Sequence, residues 1–491
     1  MRYASLAALC ALVVSSALAD EGEWRLQDPI VVYSEQPPKE ADSFLWMAPI
    51  GVCPTGQGPV LGCLRGIKVK PALDLWLEQP DRSWRRLATI EHTNFPTLFA
   101  LGGDVGVVSS MGEDVSSGSA NTIEFFRIRP DGQVTGPIRV AAPAGGRLTV
   151  GSVLASGETI SCFVLQEGHE NKLLLVRSDD GGTTWKEPRE MGKTTMHEDN
   201  SHIQGLQWSA EHLGRFVFER DGQLSFWRTR DAGTTWATET VAFADDLGPK
   251  AKRMALGAAQ TDGVDSLVYV GFSPDARDRG RYFLTRSTDQ GKTWAKGVAL
   301  TDTLPLDDPS MYVQLAGAGK RVAFSFIEVK GSWTKGEMAV RLLLSQDAGV
   351  TWKEVPLEQS YAGVAIFGSL WADPKGDRIL FSTSICPDVE AETRNYLTVQ
   401  EFSARPLPSS KAISDEDRKL LDELIGKLGA SDFETREEAS RRLAAFGRRA
   451  KDALLEATKS QDAEVASRAQ EVLRALFPAC LRIGGGMSER K

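Results

Sequence analysis

The phrase Ser178-Asp179-Asp180-Gly181-Gly182-Thr183-Thr184-Trp185 decides how this chain is read, because it is written four times. It returns as Thr229-Arg230-Asp231-Ala232-Gly233-Thr234-Thr235-Trp236, as Ser287-Thr288-Asp289-Gln290-Gly291-Lys292-Thr293-Trp294 and as Ser345-Gln346-Asp347-Ala348-Gly349-Val350-Thr351-Trp352. The shared pattern is Ser/Thr-x-Asp-x-Gly-x-Thr-Trp, each copy preceded by an apolar run such as Leu173-Leu174-Leu175-Val176. A β-run, an Asp-x-Gly turn and a second β-run make hairpin chemistry. The Asp carboxylate accepts backbone N–H bonds inside the turn, and Gly supplies a conformation closed to other residues. Thr restarts the strand, and Trp offers a large apolar face with one N–H donor. Asp180, Asp231, Asp289 and Asp347 are therefore read as turn-forming residues. Trp185, Trp236, Trp294 and Trp352 are read as packing between neighbouring sheets.

The spacing of the four copies locates further repeats. About 50 residues before the first lies Arg129-Pro130-Asp131-Gly132, and about 50 earlier lies Pro80-Asp81-Arg82-Ser83-Trp84, which makes six such turns. A second series alternates with them: Pro54 to Pro59, Gly102 to Asp104, Ala155 to Glu158, Ala210 to Gly214, Asp262-Gly263, Gly317 to Gly319 and Asp373 to Asp377. Each lies between short β-branched or aromatic runs. Seven turns against six imply a last sheet short of one strand, which the run Pro29-Ile30-Val31-Val32-Tyr33 can supply. Closure of this kind removes an exposed edge. The expected fold is an all-β propeller over 28–404, with seven blades favoured and six the alternative.

The repeated phrase resembles the Asp box of the sialidase (BNR) superfamily, and the resemblance covers roughly residues 28 to 403. It implies a propeller whose box turns face away from the ligand site. It further implies three arginines around a sialic-acid carboxylate, a Tyr nucleophile paired with a Glu, and an Asp as acid/base. The family's first arginine belongs to Phe-Arg-Ile-Pro. The comparable stretch here is Trp46-Met47-Ala48-Pro49, with Met47 where the guanidinium is expected. A thioether cannot replace a bidentate guanidinium–carboxylate fork. Tyr361, just before the last inner strand, is the nucleophile candidate by position, and Asp245 and Asp307 are the acid candidates. Arg147 and Arg253 open inner strands and are candidate ligand contacts, together with His197, Asp308 and Tyr312 in the loops joining successive sheets. The expectation is a propeller that binds a glycan or a protein ligand without sialidase catalysis. One alternative is a divergent exo-glycosidase using carboxylates of those loops, and another is an extracytoplasmic assembly or scaffold protein.

Composition narrows the partners. The formal net charge is -9 and the pI near 5.4, the reverse of the basic footprint that nucleic-acid binders carry. The N-terminus reads as a basic residue, an apolar stretch from Leu6 to Val14, and Ala17-Leu18-Ala19 before Asp20. That is a signal peptide over residues 1–19, implying a secreted or periplasmic protein. No later stretch reaches the ~18 apolar residues of a membrane span. Cys53 and Cys63 flank the Pro54–Val60 turn, and either bridge across a hairpin or stand as two buried thiols. No Cys/His spacing suits a metal, and no cofactor is implied.

After Arg405-Pro406-Leu407-Pro408-Ser409-Ser410 the apolar period changes from two to 3.6. A linker over 405–413 precedes four expected helices within 414–477, which pair as two helical hairpins similar to HEAT-like repeats and offer a protein-contact surface. The glycine-bearing tail, 478–491, is expected to be disordered.

Overall fold

The computed structural model describes residues 25–26, 30–35, 47–66, 71–111, 122–141, 147–167, 171–194, 205–218, 224–241, 252–260, 266–273, 281–300, 314–330, 337–355, 364–373, 378–386, 395–403, 415–446 and 450–476. The first 19 residues, the linker and the tail lie outside these. The described strands form seven antiparallel sheets. The first sheet contains Met47–Pro54, Pro59–Arg65, Ala72–Glu78 and Trp84–Glu91 in that order. The next five repeat the pattern, running from Thr93–Leu101 to Val134–Ala141, Arg147–Ser156 to Arg189–Thr194, Gly205–Gln207 to Ala237–Val241, Lys252–Gln260 to Val298–Ala299 and Gln314–Ala318 to Lys353–Val355. The seventh contains Val364–Ala372, Arg378–Cys386 and Asn395–Ser403. The leading strand of each sheet neighbours that of the next, and Val364–Ala372 neighbours Met47–Pro54. These leading strands line the centre of a β-propeller.

The N-terminus completes the seventh sheet. Ile30–Glu35 pairs antiparallel with Asn395–Ser403, placing Ile30 opposite Val399, and Arg25 and Leu26 continue along the same edge opposite Ser403 and Phe402. Val32 enters the core between the seventh and first sheets with Trp371, Leu380, Leu397, Val399, Leu61 and Trp76. Tyr33 lies against Trp76 with ring centroids 5.1 Å apart, and Arg86 sits 5.1 and 4.9 Å over the two rings.

Each repeated phrase joins the third and fourth strands of its sheet, and its hydrogen bonds explain the residue types. Asp231 Oδ1 accepts from Thr229 Oγ1 (2.7 Å) and from the Thr235 N–H (2.8 Å), while Oδ2 accepts from Thr235 Oγ1 (2.6 Å). Asp180, Asp289 and Asp347 repeat the arrangement with their own Ser and Thr neighbours. The Thr235 hydroxyl and N–H, then Thr229, hold the Asp231 carboxyl down to about 2, and the equivalent donors hold Asp347 at about the same value. Gly182 has φ +88°, and a Cβ there would stand 2.2 Å from the Phe125 ring of the preceding sheet. Only glycine allows that backbone and that approach together. The Trp residues reach back in the same sense: Trp185 to Phe125 at 5.7 Å and Trp236 to Phe163 at 6.4 Å. Trp185, Trp236 and Trp352 each donate Nε1–H to the carbonyl of their own box glycine at 3.1 Å. Trp294 departs from this, lying 5.1 Å from both Phe216 and Phe226.

Register decides between the two readings of the cysteine pair. Cys53 stands opposite Val60, and Cys63 opposite Pro49. Side chains alternate along a strand, so Cys53 joins the core shared with the second sheet and Cys63 the core shared with the seventh. The two do not form a disulfide. Burial pushes the Cys53 thiol up to about 12.

After the propeller come four helices: α1 Asp415–Lys427, α2 Phe433–Phe446, α3 Lys451–Ala457 and α4 Ala463–Leu476. Leu421, Leu424 and Leu428 meet Ala439 and Leu443 of α2 and Leu454, Ala469 and Val472 in one core. Asp432 and Asp462 cap α2 and α4, accepting from the N–H of Thr435 (2.7 Å) and Glu464 (2.9 Å). Among the described residues no helix is long and apolar enough to cross a membrane.

Candidate functional site

The propeller has two unlike faces. The box turns and the turns between first and second strands share one face, where the Asp oxygens are taken up inside their own turns. The leading strands begin at the other face, the one towards which the resemblance directs a ligand. Arg147 opens the leading strand of the third sheet opposite Glu167, and Arg253 is second in that of the fifth, opposite Phe272. Met47 opens that of the first sheet, opposite Arg65. The backbone thus brings both arginines to the same end of the ring, in alternate sheets. Tyr361, Asp245, Asp307, Asp308, Tyr312 and His197 lie outside the described residues.

One stretch of this face is described with its side chains, and its central residues were missed by sequence reasoning. Arg65 ends the second strand of the first sheet, directly across the ladder from Met47. Its Nε donates to Asp74 Oδ2 at 2.8 Å, and its Nη2 lies 3.9 Å from Glu91. Asp74 is buried, and its Oδ1 accepts from Thr89 Oγ1 at 2.6 Å. Arg86 Nη2 approaches Asp74 to 4.0 Å from the outer strand. The guanidinium is therefore spent partly on compensating a buried carboxylate, which would otherwise be costly. A lone Arg ending the buried run Val60–Leu64 was the available signal, because an unpaired charge does not sit at such a position.

The crossover from the first sheet to the second is a single residue, His92, with φ +60°. Among the described residues the other non-glycine positions of positive φ are Arg82, Ala232, Gln290 and Ala348, all in turns of the box face. Histidine tolerates this left-handed region better than most residues, though it remains uncommon there. His92 and Glu91 are exposed, and Thr93 beside them is buried. An imidazole and a carboxylate on an open rim can donate to and accept from hydroxyl groups, and both are groups of the proton-transfer type. Among the described residues no cluster of three or more His, Cys, Asp or Glu could hold a metal ion.

No family model matches the chain. None of the curated proteins matches it either. Solved structures resemble it at low identity. A polysaccharide lyase is 10% identical, with 78% of this chain and 100% of that one covered and a TM-score of 0.47. An α-L-arabinofuranosidase from Fusarium graminearum is 14% identical, covering 77% and 98%, with a TM-score of 0.41. A fucose-recognising, six-bladed lectin from Aleuria aurantia is 11% identical, covering 63% and 94%, with a TM-score of 0.39. At these identities and TM-scores the likeness transfers neither a ligand nor a residue to this chain.

Proposed function

We propose that this chain is an exported, Asp-box propeller of seven blades that binds a glycan on the face opposite the box turns, without sialidase catalysis. The ring of seven sheets supports the blade count, and the bond pattern inside the four phrases supports the box assignment. The observation that carries the functional reading is the Met47–Arg65 pair. The resemblance asks for a guanidinium at the start of the first leading strand, and methionine stands there. The guanidinium across the ladder is held by Asp74 at 2.8 Å. A sialic-acid carboxylate would thus lose one charge-assisted bidentate contact, typically several kcal/mol of transition-state binding, and each ~1.4 kcal/mol is tenfold in rate. The rim still offers His92, Glu91 and the strand positions of Arg147 and Arg253, a set suited to hydroxyl-rich ligands. The helices, read as two HEAT-like hairpins, add a protein-contact surface, and residues 1–19 serve as the export signal.

A glycan-array screen run beside hydrolysis assays on the same panel tests this reading. Saccharide binding is expected, with no release of an aryl leaving group from a sialoside. Robust turnover abolished by Tyr361→Phe would overturn the reading and restore a sialidase. Turnover indifferent to that change would favour a glycosidase working through carboxylates of the same face.

A further inference from the structure

The first and seventh sheets are joined by a buried ionic cluster whose members come from five places in the chain. Glu78 ends its strand, and Arg82 lies in the turn after it. Asp373 follows Val364–Ala372, Arg378 opens the next strand, and Glu401 lies in Asn395–Ser403. Arg378 grips Glu78 with both ends of its fork, Nη1 to Oε1 at 2.9 Å and Nη2 to Oε2 at 2.8 Å, across 300 residues of sequence. Its Nε reaches Asp373 at 3.2 Å, and its guanidinium lies 5.8 Å over the Trp371 ring. Glu78, Arg378 and Glu401 are 6%, 8% and 5% exposed.

Two glutamates converge on the same two nitrogens. Arg378 Nη1 is 2.9 Å from Glu78 Oε1 and 3.5 Å from Glu401 Oε2, and Arg82 Nη1 is 3.4 and 3.7 Å from the same two oxygens. Carboxylates brought this close away from water resist being ionised together, and their titration belongs to the group rather than to either residue. We propose that this cluster is a proton-loaded clasp on the propeller ring, tight when it holds an extra proton and looser as pH rises through neutrality.

The electrostatics agree in direction. Burial, opposed by Arg82 and reinforced by the charges of Glu401 and Asp373, pushes the Glu78 carboxyl from 4.5 up to about 7. A carboxyl raised in the folded state takes up a proton on folding. Its stabilising contribution is full below about 4.5 and is lost as pH rises through about 7. His212, in the turn leading into the fourth sheet's second strand, works the other way. Burial and the nearby Arg230, Arg228 and Lys292 depress it, so its contribution is present above the ordinary histidine value and lost as pH falls. Only a comparison with a clasp variant isolates the clasp.

The test is urea unfolding of the full chain at pH 5, 6, 7 and 8 for wild type, Glu78→Gln and Glu401→Gln. Glu78→Gln keeps the shape of the protonated acid and cannot titrate. The wild-type unfolding constant should rise relative to that of Glu78→Gln by on the order of 50-fold from pH 5 to pH 8, with values of 4.5 and about 7 for the unfolded and folded carboxyl. Glu401→Gln removes a charge that raises Glu78 and should flatten the profile in the same sense. If Glu78→Gln does not fold, the Glu401→Gln comparison decides alone. Profiles for wild type and the folded variants that run parallel across the range would overturn the clasp.

Discussion

Replacing Arg378 by alanine is expected to cost the propeller about 3–5 kcal/mol, the usual penalty for removing one partner of a buried ion pair. The loss would come less from the attraction removed than from what stays behind. Glu78 is 6% exposed, and Arg82, at 3.4 Å, is the other guanidinium near it among the described residues. The stacking of the guanidinium over Trp371 goes as well. Arg378→Lys keeps the charge but cannot reach both Glu78 oxygens and Asp373 at once, so it should fall between wild type and alanine. Urea unfolding at pH 8, above the range in which Glu78 takes up its proton, measures both. A loss under about 1 kcal/mol for Arg378→Ala would mean that the seam is held by its apolar core instead.

Removing residues 20–35 should be the other large effect. It strips seven backbone pairings from Asn395–Ser403, five by Ile30–Glu35 and two by Arg25 and Leu26, takes Val32 out of the seam core and uncovers Trp76 beneath Tyr33. Burial of one valine and one tyrosine alone accounts for roughly 3–5 kcal/mol. The exposed edge of the seventh sheet would also invite pairing between molecules. A lower melting temperature is expected, together with oligomers in size-exclusion chromatography. A synthetic peptide of residues 25–36 added in trans should restore the monomer. A truncated chain that melts like wild type would show that Ile30–Glu35 does not hold the ring.

Much of this architecture was legible because it is local. Asp, Gly, Thr and Trp at fixed offsets encode a turn whose bonds all fall within eight residues, from Thr229 to Trp236 for instance. The third–fourth strand positions of the turns follow directly. What was not legible depends on register or on distance. A nine-residue gap between Cys53 and Cys63 suits a hairpin bridge, yet the shift between Pro49 and Gly51 and the alternation of faces put the thiols in different cores. Arg65 and Asp74 are nine apart on neighbouring strands, and Glu78 and Arg378 are 300 apart. Nothing in composition pairs them before the ring is closed. The arginine positions at leading-strand starts were legible, since strand starts follow from turn spacing. Six of the candidate residues, Tyr361 among them, lie outside the described residues, and their roles rest on the resemblance.

The most direct measurement is ligand affinity, by calorimetry against the best saccharide from the array, for variants of the two faces. His92→Ala, Arg147→Ala and Arg253→Ala alter the face opposite the boxes, while Asp231→Ala alters a box. Weaker binding is expected from at least one of the first three, by about tenfold or more for a lost charged contact, with melting temperature unchanged. Asp231→Ala should lower the melting temperature and leave affinity as it was, because its carboxylate is taken up by Thr229, Thr234 and Thr235 of its own turn. Affinity lost in Asp231→Ala and kept in all three others would contradict the assignment of the ligand to that face.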